Sequence, residues 1–409
     1  MQGFRYPASL PRRARGELSV KSRKLSRSRR RVTILTATAA SVAAGVALLP
    51  NWSAGAATPS NPTVDAKTRA TFQKLADAVF TDRTDALVDG NRKKPTTQGF
   101  SGRVKMSSKQ HSTESSTLNS LTQRKNTLAK LGEKYSKGTT GVSLDTVKVT
   151  GRTAKAQVTE TTVLTYEKTS AKEPNTTGFQ AHHELTFKAD QGGNWQLSGV
   201  RSTDTGGTTV NQVAAPAVTT VKPATAETDT PAAPRAATTR NPVAVPKVLT
   251  GGTYDYKAMA TYAEKYWSNY NPDYPNFNGQ GAGGDCTNFV SQSLKAGGWK
   301  HAPGYVYDYT KWFGNNEIQS YSFVGVNEWS WFTQNAKRST PLANVYQMQV
   351  GDVLQVDFDR DGSKDHTMIV SYVANGMPYL TYHSSNTYRR SLSSVLASYP
   401  NSYYYAYRT

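Results

Sequence analysis

The chain has 409 residues, enough for two ordinary domains with accessory segments, and its apolar fraction of 37% argues against one continuous core. The formal net charge is +20, but eleven basic side chains between Arg5 and Arg31 face only Glu17, so loss of that segment leaves about +10. A balance of that size gives weak attraction to an anionic surface and does not by itself identify a nucleic-acid partner.

Residues 1–57 read as a signal peptide with a long basic start. The basic stretch ends at Arg29, Arg30 and Arg31, an apolar run covers 32–49, and small residues follow at Ala54, Gly55, Ala56 and Ala57. Consecutive arginines directly before the run resemble a twin-arginine signal, and an ordinary secretory signal fits the same pattern. The run is rich in Ala, Thr and Ser, which makes a poor permanent span, and no later segment is apolar enough to cross a bilayer. The expectation is a secreted or cell-wall-associated protein.

Residues 58–206 read as a small α+β domain. Phe72, Leu75, Ala76, Val79 and Phe80 share one face of a helix expected over 66–87, and a weaker helical pattern covers 118–135. Strands are expected at 146–150, 154–166, 179–189 and 194–201, the last behind the turn at Gln191, Gly192 and Gly193. Helix followed by curved antiparallel sheet resembles the cone-shaped fold of nuclear-transport-factor-like and cystatin-like domains. His182 and His183 are neighbours in a strand and point to opposite faces, so both read as structural. Residues 207–250, rich in Pro, Ala and Thr, read as an extended linker.

The chemistry concentrates in 251–409. Cys286 is the single cysteine, so it forms no internal disulfide and is either an inert buried residue or a working thiol. Phe289, Val290 and Leu294 lie three, four and eight positions after it, the spacing of one buried helix face. Gly297 and Gly298 stop that helix, and Asp285 is suited to cap its start. Cys286 then sits in the first turn, where unpaired backbone N–H groups favour a thiolate and offer donors to an oxyanion. His366 opens a buried strand over 365–373, preceded by another over 351–356. A cysteine on a helix meeting a histidine on a strand is the papain arrangement. A strand beyond the turn at Asn375 and Gly376 carries His383 and Asn386, either of which would orient the His366 ring.

The Gly-Gly-Asp-Cys-Thr-Asn-Phe-Val-Ser-Gln segment at 283–292, the Gly-Asp-Val of 351–353 and the strand begun by His366 resemble NlpC-type cell-wall peptidases and CHAP amidases. With Asp-His-Thr-Met-Ile-Val at 365–370, residues 254–407 resemble still more closely the amidase domain family of secreted Gram-positive, especially actinobacterial, proteins. The resemblance implies a papain-like α+β domain, with the cysteine-bearing helix packed on an antiparallel sheet. It also implies amide hydrolysis, with peptidoglycan or its peptides as substrate class, and His383 occupies the place of the family's third polar residue. Asn386 stays the alternative. No metal is required by such a mechanism.

Asp357, Asp359, Asp361 and Asp365, with Gly362 at the turn, space oxygen ligands as a calcium loop does, but Met368 stands where such a loop carries a bidentate Glu. A bound calcium and a solvated acidic hairpin tip are the two readings. Tyr262, Tyr266 and Tyr270 share a helical face and read as packing, while His301 reads as a surface residue. Other functions compatible with the chain are a silent module docking on peptidoglycan or anionic wall polymers, and a thioester-forming acyltransferase or transglutaminase.

Overall fold

The computed structural model describes residues 64–90, 94–168, 170–213, 230–240, 247, 249, 252–278 and 284–409. The signal-peptide reading of 1–57 and Gly283 of the cysteine motif lie outside them, as does much of the expected linker.

Helix α1 (Ala66–Asp85) starts where Asp65 accepts the Thr68 N–H at 2.7 Å, and it buries the five apolar residues whose spacing defined it. Helix α2 (Ser108–Lys130) begins ten residues before the expected 118. Its first turns carry no apolar stripe, and it is started by Ser107, which accepts the Gln110 N–H at 3.2 Å. One face of those turns is nevertheless buried through polar contacts. Glu114 takes two bonds from Arg83, at 2.6 and 2.9 Å, and one from Gln110 at 2.8 Å.

Around these helices run β1 (Val104–Met106), β2 (Tyr135–Thr150), β3 (Thr153–Tyr166), β4 (Thr176–Ala189) and β5 (Trp195–Ser202). The last three match the expected strands closely. Strand β2 is far longer than 146–150, because its first half has polar side chains on both faces and gives no alternation to read.

The remainder comprises α3 (Tyr256–Tyr266), α4 (Cys286–Ala296), α5 (Tyr321–Val324), α6 (Val326–Asn335), β6 (Thr340–Leu342), β7 (Val353–Asp357), β8 (His366–Ala374), β9 (Met377–Tyr382), β10 (Thr387–Ser391), α7 (Leu392–Ser398) and β11 (Tyr403–Arg408). The fold is mixed α/β. Its strands form one sheet in the order β1-β5-β4-β10-β9-β8-β7-β11-β6, with β3 on the other edge of β4 and β2 beyond it. The pairs are antiparallel except β1 with β5.

The two regions read separately from sequence meet where Thr387 pairs with Phe179 and Tyr388 with Gly178. A shared core lies beneath that junction, uniting Leu121 and Leu128 of α2 with Leu354, Val356, Val370, Leu380 and Leu392. On the opposite face of β7 and β8, Val353 and Ile369 pack under α3, α4 and α6 with Met259, Phe289, Trp299, Trp312 and Trp329. Alternate residues of β7 and β8 thus feed two different cores, so these strands read as continuous apolar runs. Tyr262 and Tyr266 pack on α3 with tilted rings 4.7 Å apart, but Tyr270 lies beyond the end of that helix and does not share its face, while His301 is exposed as expected.

Candidate active site

Cys286 is the first residue of α4, and Phe289, Val290 and Leu294 hold that helix against the sheet. Two threonines tie it to β8: Thr287 Oγ1 and Thr367 Oγ1 lie 2.8 Å apart, and Gln355 Nε2 donates to Thr367 Oγ1 at 3.2 Å. The backbone N–H groups of Thr367 and Thr287 act on the Cys286 sulfur and favour its thiolate. Burial acts the other way and dominates, pushing the thiol up to about 11.

His366 opens β8 directly before Thr367 and is 1% exposed, as is Cys286. Neither ring nitrogen takes a hydrogen bond among the described residues. The ring packs edge-on to Tyr382 at 5.0 Å and faces Phe358 at 6.2 Å. Burial, helped by the Arg390 charge, holds its pKa down at about 3. Cys286 is therefore held as a neutral thiol and His366 as a neutral imidazole. A buried imidazole with both nitrogens unbonded is uncommon, since such groups nearly always find a partner.

His383 does not take the position of third member. Its Nδ1 lies 2.6 Å from Asp285 Oδ2 and its Nε2 lies 2.8 Å from the Tyr266 carbonyl, so both nitrogens are committed away from His366. The ring is also held between Tyr270 and Phe289, at 4.1 and 4.0 Å. Asn386 does not reach His366 either: Tyr270 donates to its Oδ1 at 2.8 Å, and its Nδ2 donates to Gln180 at 3.5 Å. Asp285 occupies the cap position of α4 without capping it. Its Oδ1 accepts from Phe277 N–H and Asn288 Nδ2, and its Oδ2 meets His383. His383 lies in the turn after β9 and not on the expected strand, and the pair Asp285–His383 thus fastens the start of α4 to that turn, a positioning role that neither residue revealed alone.

A further contact lay outside the sequence reading. The backbone passes over the site at Gly206 (φ +109°), where a methyl group would stand 3.0 Å from His366 Nδ1. Ser384 and Ser385, both in the left-handed region at φ 62° and 78°, border the same place, and Ser384 Oγ accepts the Asp285 N–H at 3.1 Å. Two adjacent non-glycine residues in that region store strain beside the cysteine.

The acidic loop brings Asp357, Asp359 and Asp361 together, with one oxygen of each within 4.8 Å of the others. Asp365 turns away and accepts the Phe358 N–H at 2.7 Å, its pKa raised to about 6 by burial. Both Asp357 oxygens already accept backbone N–H groups, from Arg360 and Gly362. Three of the four expected ligands therefore converge, while Met368 is buried in the sheet.

Residues 253–407 match the family described as "Putative amidase domain". Two proteins of Bacillus subtilis (strain 168) align with this chain. Uncharacterized protein YhbB is 32% identical over 34% of this chain and 48% of its own length, and uncharacterized protein YjcM is 31% identical over 36% and 34%. The chain thus spans less than half the length of either relative. Among solved structures, the intermembrane space region of chloroplast protein ARC6 aligns at 17% identity over 34% of this chain and 98% of its own, with a TM-score of 0.23.

Proposed function

We propose that this chain is an exported cysteine amidase of papain-like design that cleaves amide bonds in peptidoglycan peptides. The observation carrying this reading is Cys286 at the first position of α4, with the Thr287 and Thr367 N–H groups acting on its sulfur and the unbonded His366 imidazole in the adjoining residue. The amidase family match over 253–407 supports the reaction class. The wall substrate and export rest on the motifs and the N-terminal pattern.

In the proposed reaction His366 accepts the Cys286 proton and the thiolate attacks the amide carbon. The N–H groups at the start of α4 stabilise the oxyanion, and His366 then protonates the leaving amine. Water, deprotonated by His366, releases the acyl group from the sulfur. His383 and Asp285 act by fixing α4 and do not touch the reacting atoms. The cone-like body of 58–206 is an accessory to this site.

The reading is tested by incubating wild type and Cys286→Ala with muropeptides and identifying products by mass spectrometry. A cleavage present in the first and absent in the second supports it, and equal cleavage by both sinks it.

A further inference from the structure

We infer that residues 204–212 are a built-in inhibitory strap, which the N-terminal body holds across the Cys286–His366 site. This inference takes the site of the proposed hydrolase as its object. The segment read from sequence as the end of one domain and the start of a linker is instead tied down along its length.

At its start, Asp204 accepts the His182 backbone N–H and meets His182 Nδ1, both at 2.8 Å. Thr205 and Gly206 then enter the site. A methyl at Gly284, two residues before Cys286, would collide with the Thr205 side chain, whose Oγ1 is buried without a hydrogen-bond partner among the described residues. Gly206 lies against His366 Nδ1, and its φ of +109° brings the backbone down where a side chain has no room. Next, the Gly207 carbonyl accepts from Ser385 Oγ at 3.0 Å and the Thr208 carbonyl accepts from Arg390 Nη1 at 2.8 Å.

The far end is anchored inside the N-terminal body. Asn211 is fully buried and donates to Glu160 at 2.7 Å and Thr84 at 3.1 Å, and Glu160 also meets His183 Nε2 at 3.0 Å. Arg124 Nη1 donates to the Val210 and Gln212 carbonyls, both at 2.6 Å. The two adjacent histidines therefore serve the two ends of one segment from opposite faces of β4. That places the end anchors on the accessory body, while Ser385 and Arg390 hold the middle of the segment over the catalytic site.

The consequence is both steric and electrostatic. A substrate amide cannot reach Cys286 while Thr205 and Gly206 occupy the approach, and water kept from the site disfavours the thiolate–imidazolium pair. Displacing the strap lets water and substrate in and frees the His366 ring to turn toward the sulfur.

Thiol labelling tests the strap separately from the chemistry, because Cys286 is the single thiol. Iodoacetamide is applied to the full chain, to Asn211→Ala and to Gly206→Ala, with thermal melting followed in parallel. Folded variants should label about ten-fold faster or more than wild type, since losing the buried Asn211 anchor, or forcing a methyl at Gly206 against His366, shifts the opening equilibrium by about that much. Folded variants that label no faster overturn the inference. Should both variants fail to fold, hydrogen exchange on wild type decides. Opening of 205–210 at a cost well below global unfolding supports the strap, and exchange of this segment only with global unfolding overturns it. Faster labelling without any hydrolysis would leave the strap standing and remove the hydrolase reading.

Discussion

Each half of the long sheet buries a histidine, and the two are treated in opposite ways. In the N-terminal half His183 meets Glu160, which in turn receives Thr162 and Asn211, so the polar groups of this cluster satisfy one another. In the C-terminal half His366 is as deeply buried and has no hydrogen bond at either nitrogen among the described residues. A buried polar group left unpaired costs roughly 1–3 kcal/mol, so a fold keeps one only where something else is gained. The satisfied histidine holds structure. The unsatisfied one adjoins Thr367, whose N–H acts on the Cys286 sulfur, and the proposed chemistry uses that histidine.

The largest effect that would sharpen this contrast is on hydrolysis. Cys286→Ala is expected to lower turnover by at least about 10³-fold, with thermal melting nearly unchanged because a small buried residue replaces another. Unchanged turnover would erase the distinction between the two halves.

The second effect is on stability. His183→Leu leaves Glu160 buried beside Thr162 and Asn211 without its histidine, and should cost about 3 kcal/mol in urea unfolding. A variant as stable as wild type would mean that the Glu160 cluster is not the anchor described.

Third comes an acid effect with the opposite owner. The folded-state pKa of His366 is about 3, below the unfolded value near 6.5. Between those values the unfolded chain binds the extra proton, so stability is fully present above pH 6.5 and is lost as pH falls toward 3. His366→Leu removes this penalty. Its stability relative to wild type should rise by about 2 kcal/mol between pH 7 and pH 5, read from urea midpoints. A difference that stays flat over that interval would contradict a buried neutral imidazole.

The smallest effect belongs to His383. His383→Asn should cost about 1–2 kcal/mol of stability by loosening Asp285 from the turn after β9, and lower turnover through misplacement of α4. The shape of the pH–rate profile should not change, because His383 does not touch His366. A displaced acidic limb would return His383 to the proton-transfer chemistry.

How much of this was legible follows the range of each interaction. The start of α4 could be read because Phe289, Val290 and Leu294 repeat at helical spacing right after Cys286, and β8 because its apolar run is continuous. Strands β3, β4 and β5 of the N-terminal body were likewise local patterns. The bond between Asp285 and His383 joins residues 98 positions apart. Each had a plausible local role, as helix cap and as third catalytic member, and only their contact excludes both. The pairing of β4 with β10 and the descent of Gly206 onto His366 are also tertiary, and no periodicity announces them. The strap straddles the expected boundary between the domain ending at 206 and the linker, and no local pattern announces that the fold uses Gly206 for close approach.

The most direct test of the account is the acyl-enzyme itself. Wild-type protein mixed with a peptidoglycan stem peptide is quenched in acid and digested, and the fragment containing Cys286 is weighed over time. A substrate-derived mass increment on that fragment, decaying as product appears and absent from Cys286→Ala, is the result predicted. Product formation that continues at the same rate after complete alkylation of Cys286, with no adduct at any time, would contradict it.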